Sequence, residues 1–269
     1  MPKIDKTNLT KEEWRIIRDQ RRREKDADFV SYENDGHERH VICLKHGNKY
    51  GPEYVNKLYN MVKRNLTLDH KFICFTEDTR GIDSHIECHP LPGIKAQGWW
   101  YKPWFLSTQL PFKGTFLYLD LDLIVFNNMD KLFTYQPDVG FIIIRDFNRQ
   151  IRSNWDRMNS SVFRCKVGSQ YNAWAEFEKN AMNHMRRFPG DQDFMYRMIK
   201  NDYAFFPDSW IQSYKWEMRG RDTLTVTAGG RNFKTPGKPK ILKDTSIAVF
   251  HGLPNIPDAV DDWPKEHWY

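Results

Sequence analysis

From residue 40 onward, apolar residues occur in short runs separated by stretches of helical periodicity. Residues 40–44 and 71–76 are dominated by apolar side chains and predict two buried strands. Between them, residues 54–64 carry apolar side chains at helical spacing and predict a helix. This strand–helix–strand unit favours a parallel sheet.

The rest of the chain continues the alternation of strands and helices. Further strands are predicted at residues 115–119, 138–145 and 246–250, and further helices at residues 102–110, at 171–185 and from residue 190. Residues 218–240 show little periodicity and predict a long basic loop or hairpin. Because no linker poor in apolar residues interrupts the pattern, we predict one α/β domain over residues 40–269. Its central sheet is expected to be mostly parallel and flanked by helices.

Residues 1–39 form a separate N-terminal segment. Thr10 and Glu13 have the spacing of a capping box, and a helix is predicted over residues 11–25. Charges of both signs alternate along this helix, and its few apolar side chains form only a short stripe. We therefore predict a helical appendage that docks through this stripe or contacts a second subunit.

The chain has a net positive charge, and the place of this charge along the sequence decides how it is interpreted. The 269 residues include 41 Lys and Arg against 35 Asp and Glu, a net charge of +6 with a pI near 9.0. Such a balance raises a nucleic-acid interpretation. Residues 1–40 are electrically neutral despite their arginine run, whereas residues 181–240 hold eleven Lys and Arg against six Asp and Glu. The positive field therefore belongs to the second half of the chain.

Composition and cysteine usage point to an intracellular globular protein. Hydrophobic residues make up 40% and charged residues 28% of the chain, which is typical of a folded domain. No apolar run approaches the ~20 residues of a membrane-spanning helix, and the polar N-terminal sequence lacks the apolar core of a signal peptide. Four scattered cysteines indicate neither a disulfide framework nor a structural zinc site. We predict a cytoplasmic protein with reduced thiols and no membrane insertion.

The most informative stretch is residues 116–125, with the sequence FLYLDLDLIV. Asp120 and Asp122 lie one residue apart at the end of an apolar strand, so their side chains are expected to point to the same side. Two carboxylates at such a place are costly unless a cation neutralises them, and together they can hold a hard divalent cation with a phosphate-bearing ligand. A solvated turn is the alternative, but the motif contains no Gly, Pro, Ser or Asn.

Other candidate side chains have less specific patterns. His251 follows a predicted strand and offers an imidazole, which suits manganese better than magnesium, although a structural histidine is the better interpretation of this residue alone. Asp191 and Asp193 open a predicted helix, where carboxylates also serve as ordinary caps. Four basic residues are candidates for contacts with a diphosphate or an acidic acceptor: Lys102, Lys215, Arg219 and Arg221. The alternative is that they form a solvated basic face.

With its flanking residues, the Asp120-Leu-Asp122 motif resembles the DxD motif of GT-A fold glycosyltransferases, especially the family 8-like enzymes that use nucleotide-diphosphate sugars. Further segments resemble the family in the same chain order, at residues 41–50, 99–102, 158–163, 190–193 and 250–252. The resemblance implies a Rossmann-like GT-A fold, a nucleotide-diphosphate sugar donor, a carbohydrate or other hydroxyl acceptor, and Mn²⁺ or Mg²⁺ as cofactor.

The resemblance also implies roles for individual residues. It implies that the nucleotide-sugar-binding residues are Tyr50, Trp100, Lys102, Asp120, Asn159 and Ser160. It implies that the catalytic residues near the transferred sugar are Asp191, Gln192 and Asp193. It implies that the metal ligands are Asp120, Asp122 and His251. The chain departs from the family where Leu253-Pro254-Asn255 replaces a Lys-Pro-Trp sequence.

The sequence thus predicts a metal-dependent glycosyltransferase that moves a hexose from a UDP-linked donor to an acceptor hydroxyl, and the resemblance implies retention of anomeric configuration. A nucleic-acid-binding protein or metal-dependent nuclease is the first alternative, suggested by the pI and the paired carboxylates. No recognised nucleic-acid motif supports it, and we expect no nucleic-acid partner. A non-catalytic carbohydrate-binding relative is the second alternative, against which the joint presence of Asp120, Asp122 and His251 argues.

Overall fold

The structure is a computed structural model that describes residues 38–152, 154–219, 225–228, 231–234, 241–259 and 261–269. The helix predicted at residues 11–25 lies outside the described residues. The strand predicted from residue 40 begins one residue earlier, at Arg39.

Two sheets and a hairpin contain the strands of the described residues. In chain order the strands are β1 Arg39–Lys45, β2 Lys71–Thr76, β3 Glu87–His89, β4 Thr115–Leu119, β5 Leu123–Val125, β6 Phe141–Arg145, β7 Met158–Lys166, β8 Tyr203–Phe205, β9 Ile211–Ser213, β10 Thr225–Ala228, β11 Arg231–Lys234 and β12 Ile247–Val249. The larger sheet has seven strands in the order β3-β2-β1-β4-β7-β6-β8. All of them are parallel except β7, which runs antiparallel to β4 and β6. The prediction of a mostly parallel sheet is confirmed.

The smaller sheet has three strands in the order β5-β12-β9. In it, β12 is antiparallel to β5 and parallel to β9, with Val249 level with Ser213. Strands β10 and β11 pair antiparallel as a hairpin within the basic stretch 218–240, as the sequence predicted.

The α-helices of the described residues flank these sheets. They are α1 Pro52–Asn65, α2 Lys131–Thr134, α3 Tyr171–Lys179, α4 Ala181–Arg187, α5 Asp191–Met198 and α6 Trp263–His267. The longest, α1, begins with Pro52 at a position that needs no backbone donor and has Lys63 and Arg64 in its last turn, where cations interact favourably with the helix dipole. No helix among the described residues is long and apolar enough to cross a membrane.

Two predicted helices differ from the structure, the first because of a proline and the second because of an asparagine. Instead of a helix at residues 102–110, a 3₁₀ segment spans Gly98–Leu106 and contains Pro103, which has no N–H for a regular helical ladder. The helix predicted at residues 171–185 is divided at Asn180, whose side chain accepts a hydrogen bond from the Asn183 N–H and caps a new helix.

Strand β4 is the middle strand of the seven and is buried on both faces. Leu117 and Leu119 of β4 belong to the core on the α1 side, whereas Phe116 and Tyr118 belong to the core that also contains α3 and α5. Parallel strands end at the same edge of a sheet, and ligand sites of open α/β sheets lie beyond that edge. The carboxyl end of β4 is therefore the place to look for chemistry.

Candidate active site at the junction of the two sheets

The candidate site lies where the chain leaves the seven-stranded sheet and enters the three-stranded one. Only Asp120, Leu121 and Asp122 separate β4 from β5. The Asp120 N–H donates to the Ser161 carbonyl oxygen (2.9 Å), and the Phe250 N–H donates to the Asp122 carbonyl oxygen (2.8 Å). Each aspartate backbone is thus fixed to a different sheet, so the carboxylates stand at the junction.

Asp120 is paired within the site. The buried Lys102 ammonium lies 2.7 Å from its Oδ1 and donates to its Oδ2 at 2.9 Å, and the Tyr118 hydroxyl donates to Oδ1 at 2.8 Å. Lys102 also donates to the carbonyl and hydroxyl oxygens of Ser160, both at 3.2 Å. Burial lowers the pKa of Lys102, but the charges of Asp120 and Asp191 raise it by more than burial lowers it. The pKa of Lys102 therefore lies above its ordinary value, and the side chain is charged. Lys102, predicted to approach the nucleotide, is therefore already neutralised by carboxylates.

Asp191 is the second carboxylate near this lysine. Its side chain is 6% exposed, and its Oδ2 lies 4.0 Å from Lys102 Nζ with no hydrogen-bond partner among the described residues. Burial raises the pKa of Asp191, while Lys102 and a hydrogen bond with Ser160 oppose the rise. A buried carboxylate oxygen without a donor is a costly arrangement that a bound hydroxyl would relieve.

Asp122 is the third carboxylate and has a neutral partner. Its Oδ2 accepts a hydrogen bond from the Tyr50 hydroxyl at 2.9 Å. Burial and the charge of Asp120 raise the pKa of Asp122 to about 6, against the Tyr50 hydrogen bond and the charge of Lys102. Three carboxylates therefore lie near the Lys102 ammonium, and Lys49 lowers the pKa of Asp122 less strongly than Lys102 does. The site has an excess of negative charge that favours a bound cation.

His251 follows β12 in the smaller sheet and is held by its surroundings. Its Nε2 lies 2.7 Å from Ser213 Oγ, and its ring stacks on Phe147 with 4.8 Å between centroids. Burial lowers the pKa of His251 well below the ordinary value, and the charges of Lys215 and Arg149 lower it further. The imidazole is therefore neutral, the form in which histidine binds metals.

The predicted ligands Asp120, Asp122 and His251 do not form a closed metal centre. Among the described residues, no three His, Cys, Asp or Glu side chains are grouped so that they could hold a metal ion. Asp120 is occupied by Lys102 and Tyr118, and His251 Nε2 by Ser213. Asp122, with the excess negative charge around it and a neutral imidazole on the neighbouring strand, is the side chain that best fits a divalent cation.

The two residues after Asp191, in the first turn of α5, line a separate cavity. Gln192 and Asp193 border a polar space of about 210 Å³ together with Asp146, Trp155 and Arg157. Arg157 lies 3.4 Å from Asp193 and its guanidinium covers the Trp155 ring at 4.6 Å. Burial raises the pKa of Asp193, and Arg157 opposes that effect. The predicted catalytic segment is thus divided between the carboxylate cluster and this cavity.

Asp146 is a site residue that the sequence analysis missed. It follows β6 and accepts hydrogen bonds from the Asn148 N–H (2.8 Å), the Trp155 indole N–H (2.9 Å) and Gln192 Nε2 (3.1 Å). Its position directly after a buried strand, like that of Asp120, was the signal that could have identified it. It fixes the orientation of Gln192.

The remaining predicted residues are placed as follows. Asn159 is buried in β7, and its side-chain oxygen accepts from the Ser161 N–H at 3.0 Å. Trp100, predicted to bind the nucleotide sugar, is a core residue, 6% exposed and stacked on Phe177. A ring buried in this way offers no face to a ligand. Its neighbour Trp99 is 53% exposed and is the available aromatic surface.

A mostly parallel seven-stranded sheet with one antiparallel strand, and a carboxylate pair that leads into a second small sheet, defines the class of fold: the chain has a GT-A glycosyltransferase fold. Neither protein-family models nor curated proteins give a match to the sequence. The chain is similar to known proteins in its three-dimensional structure.

Three solved structures illustrate the likeness. Galactosyltransferase LgtC in complex with donor and acceptor sugar analogs aligns with a TM-score of 0.56 at 12% identity, over 85% of this chain and 93% of LgtC. An active-site mutant of LgtC aligns with the same TM-score and coverage at 11% identity. The apo structure of the bifunctional glycosyltransferase WbbM aligns with a TM-score of 0.56 at 11% identity, over 84% of this chain and 48% of WbbM. Each likeness is one of fold.

Proposed function

We propose that this protein is a glycosyltransferase that moves a hexose from a nucleotide-diphosphate sugar, UDP-linked, to a hydroxyl group of a carbohydrate or other acceptor. The observation that carries the proposal is the cluster formed by Asp120, Asp122 and the buried Asp191 near the Lys102 ammonium at the carboxyl end of β4. Such a cluster has the charge to bind a cation with a phosphate-bearing ligand. Support comes from the fold, which is shared with glycosyltransferases including LgtC.

A divalent cation, Mn²⁺ or Mg²⁺, fits the donor set of this site. Asp122 and His251 are the residues that would hold it, because Asp122 forms no ion pair within the part of the chain that the structure describes and His251 is neutral. When bound, the cation would stabilise the negative charge that develops on the departing nucleotide diphosphate. Tyr50, by its hydrogen bond to Asp122 Oδ2, orients this carboxylate.

The sugar would be bound by residues on the large-sheet side of the cluster. Asp191 Oδ2 has no donor among the described residues, so a hydroxyl of the hexose can supply one. Lys102 keeps Asp120 and Ser160 in place beneath the sugar. Retention of anomeric configuration, which the family resemblance implies, is part of the proposal.

The acceptor would occupy the cavity beside Gln192 and Asp193. Asp193, which borders this cavity, can accept the hydrogen bond of the reacting hydroxyl of the acceptor. Gln192 is positioned by Asp146, which lets it contact both the donor sugar and the acceptor.

A thermal-shift screen with UDP-, GDP-, ADP- and CMP-sugars, each with and without Mn²⁺, identifies the donor class. We expect a UDP-sugar to raise the melting temperature only when Mn²⁺ is present. The same donor is then assayed for hydrolysis and transfer with the Asp122→Asn variant, which we expect to lose roughly 100-fold or more in turnover.

The matched control is Asp138→Asn, because Asp138 is an exposed carboxylate in the loop before β6. This variant should keep the turnover of the unmodified protein, and circular dichroism should show both variants folded. Unchanged turnover of folded Asp122→Asn with Mn²⁺ would rule out the proposed role of this site.

A further inference from the structure

Lys215 lies on the segment that follows β9, next to the candidate metal ligand His251. Val249 is level with Ser213 in the parallel pair of β12 and β9, so the segments that follow the two strands begin next to each other. Lys215 lies in the single π-helical turn Tyr214–Met218 that begins directly after β9, and turns of this kind are frequent at functional sites. The adjacent strand ends and this turn together bring Lys215 to the segment that contains His251 and Gly252.

The Lys215 ammonium lies directly against the backbone that follows His251. A methyl group built on Gly252 would lie only 3.1 Å from Lys215 Nζ, and Gly252 has a φ of +72° that side chains disfavour. The lysine is half-buried, and burial alone lowers its pKa. No acidic side chain among the described residues forms an ion pair with it.

Two cations near the site, Lys102 and Arg149, are paired with carboxylates. Lys102 is bound by Asp120, and Arg149 lies 3.5 Å from Asp208 and 3.8 Å from Glu217. Lys215 differs from both because its charge is partly desolvated without an acid to compensate. Such an arrangement costs stability unless an anion from outside the chain binds there.

We propose that Lys215 binds the diphosphate of the nucleotide-sugar donor and supplies a positive charge beside His251. This assignment rests on the proposed function. A lysine is a compact point charge suited to phosphate oxygens, and its position puts it next to the candidate metal ligand His251. The carboxylates that follow β4 then supply the negative charge of the site, and Lys215 after β9 supplies positive charge for the donor.

The charge of the ligand distinguishes this role from a structural one. Isothermal titration of the full-length protein with UDP and with uridine, in the presence of Mn²⁺, is compared for the unmodified protein and the Lys215→Met variant. We expect UDP to bind Lys215→Met roughly 10- to 100-fold more weakly, since one charge-assisted hydrogen bond is lost, and uridine affinity to change by less than about twofold. Lys215→Arg should recover most of the UDP affinity.

Thermal unfolding gives a second, independent readout. Because Lys215→Met removes a partly desolvated charge that no acidic side chain among the described residues compensates, and whose contact with the Trp216 ring a methionine can replace, the ligand-free variant should be at least as stable as the unmodified protein. Lys166→Met, which removes an exposed lysine at the end of β7, is the matched control and should bind UDP normally.

The outcomes separate this inference from the proposed function. Unchanged UDP affinity of Lys215→Met, or an equal loss for uridine and UDP, overturns the assignment of Lys215 while UDP binding by the unmodified protein still supports the transferase. An unmodified protein that binds none of UDP, GDP, ADP and CDP with Mn²⁺ overturns both.

Discussion

At the residue scale, the two aspartates of the DxD motif differ in their partners although they are one residue apart. Asp120 is bound by Lys102 and Tyr118, whereas the partner of Asp122 is the Tyr50 hydroxyl. The uncompensated charge therefore concentrates on Asp122, whose pKa rises to about 6. Burial and the charge of Asp120 favour a cation bound to Asp122, and they destabilise the protein when no cation is bound.

The pH dependence of stability follows from that shift. The folded-state pKa of Asp122, about 6, lies above its ordinary value of 3.8, so the folded protein holds the proton more tightly than the unfolded chain. Its contribution to stability is present at low pH and is lost as the pH rises from about 4 to about 6. We expect Asp122→Asn to be more stable than the unmodified protein by about 1–3 kcal/mol at about pH 7, and nearly equal at about pH 4.

Urea denaturation with a chelator present, repeated across this pH range, measures the difference. Asp138→Asn removes a charge from an exposed loop and should show no comparable pH-dependent gain. A stability difference between Asp122→Asn and the unmodified protein that stays constant with pH would contradict the shifted pKa.

At the scale of elements, hydrogen bonds fix the π-helical turn after β9 and connect it to His251. The Ser213 N–H donates to Glu217 Oε2 at 2.7 Å, and Gln150 Nε2 donates to Glu217 Oε1 at 2.6 Å. Ser213 Oγ accepts from the Trp216 N–H at 3.3 Å and contacts His251 Nε2 at 2.7 Å. One serine therefore links the turn to the imidazole. Partners of this kind set the orientation and tautomer of a metal-binding histidine.

Ser213→Ala should weaken Mn²⁺ binding by roughly 10- to 100-fold, because His251 loses the contact that orients it. The loss of stability should be about 1 kcal/mol, as for one hydrogen bond. Electron paramagnetic resonance of free Mn²⁺ during titration measures the affinity. Ser209→Ala, which removes a hydroxyl bonded to Asp244 on the other flank of β9, is the control and should bind Mn²⁺ normally. Equal affinities in both variants would show that Ser213 does not orient a metal ligand.

At the scale of the whole molecule, β7 joins the site to the rest of the fold. It carries Asn159 and Ser160 at one end, and its buried Arg164 reaches the loop between α2 and β6. The Arg164 guanidinium donates to the carbonyl oxygens of Phe133 (2.9 Å), Tyr135 (2.5 Å), Gln136 (2.7 Å) and Val139 (3.1 Å). One side chain therefore donates to four carbonyl oxygens, at the end of α2 and in the loop that follows it.

Replacing this arginine should destabilise the protein without a specific effect on ligand recognition. Arg164→Met leaves several buried carbonyl oxygens without donors, and we expect a loss of about 3–5 kcal/mol in the free energy of unfolding. Urea denaturation measures it. Arg197→Met, at an exposed position of α5, should change the stability by less than about 0.5 kcal/mol. A loss below about 1 kcal/mol for Arg164→Met would mean that water replaces the guanidinium.

The sequence predicted elements well where apolar runs are long. Strands at residues 71–76 and 115–119 match β2 and β4, because a continuous apolar run fits a strand buried on both faces. The short strands β5 and β9 were missed, since three-residue strands depend on their neighbours rather than on a pattern of their own. The apolar pattern predicted one continuous helix at Asn180, but the capping side chain of this residue starts a new helix there. At Pro103 the missing N–H favours a 3₁₀ segment over the predicted helix.

By itself, the sequence determined an α/β chain with two aspartates at the end of a buried strand, because burial and alternation are recorded locally in the order of residues. Only the tertiary structure decided which charges meet. The ammonium of Lys102 neutralises Asp120, Asp146 fixes Gln192, and Lys215 stands beside His251. These contacts join residues far apart in the chain, and their energies depend on strand order and desolvation, which no local pattern contains.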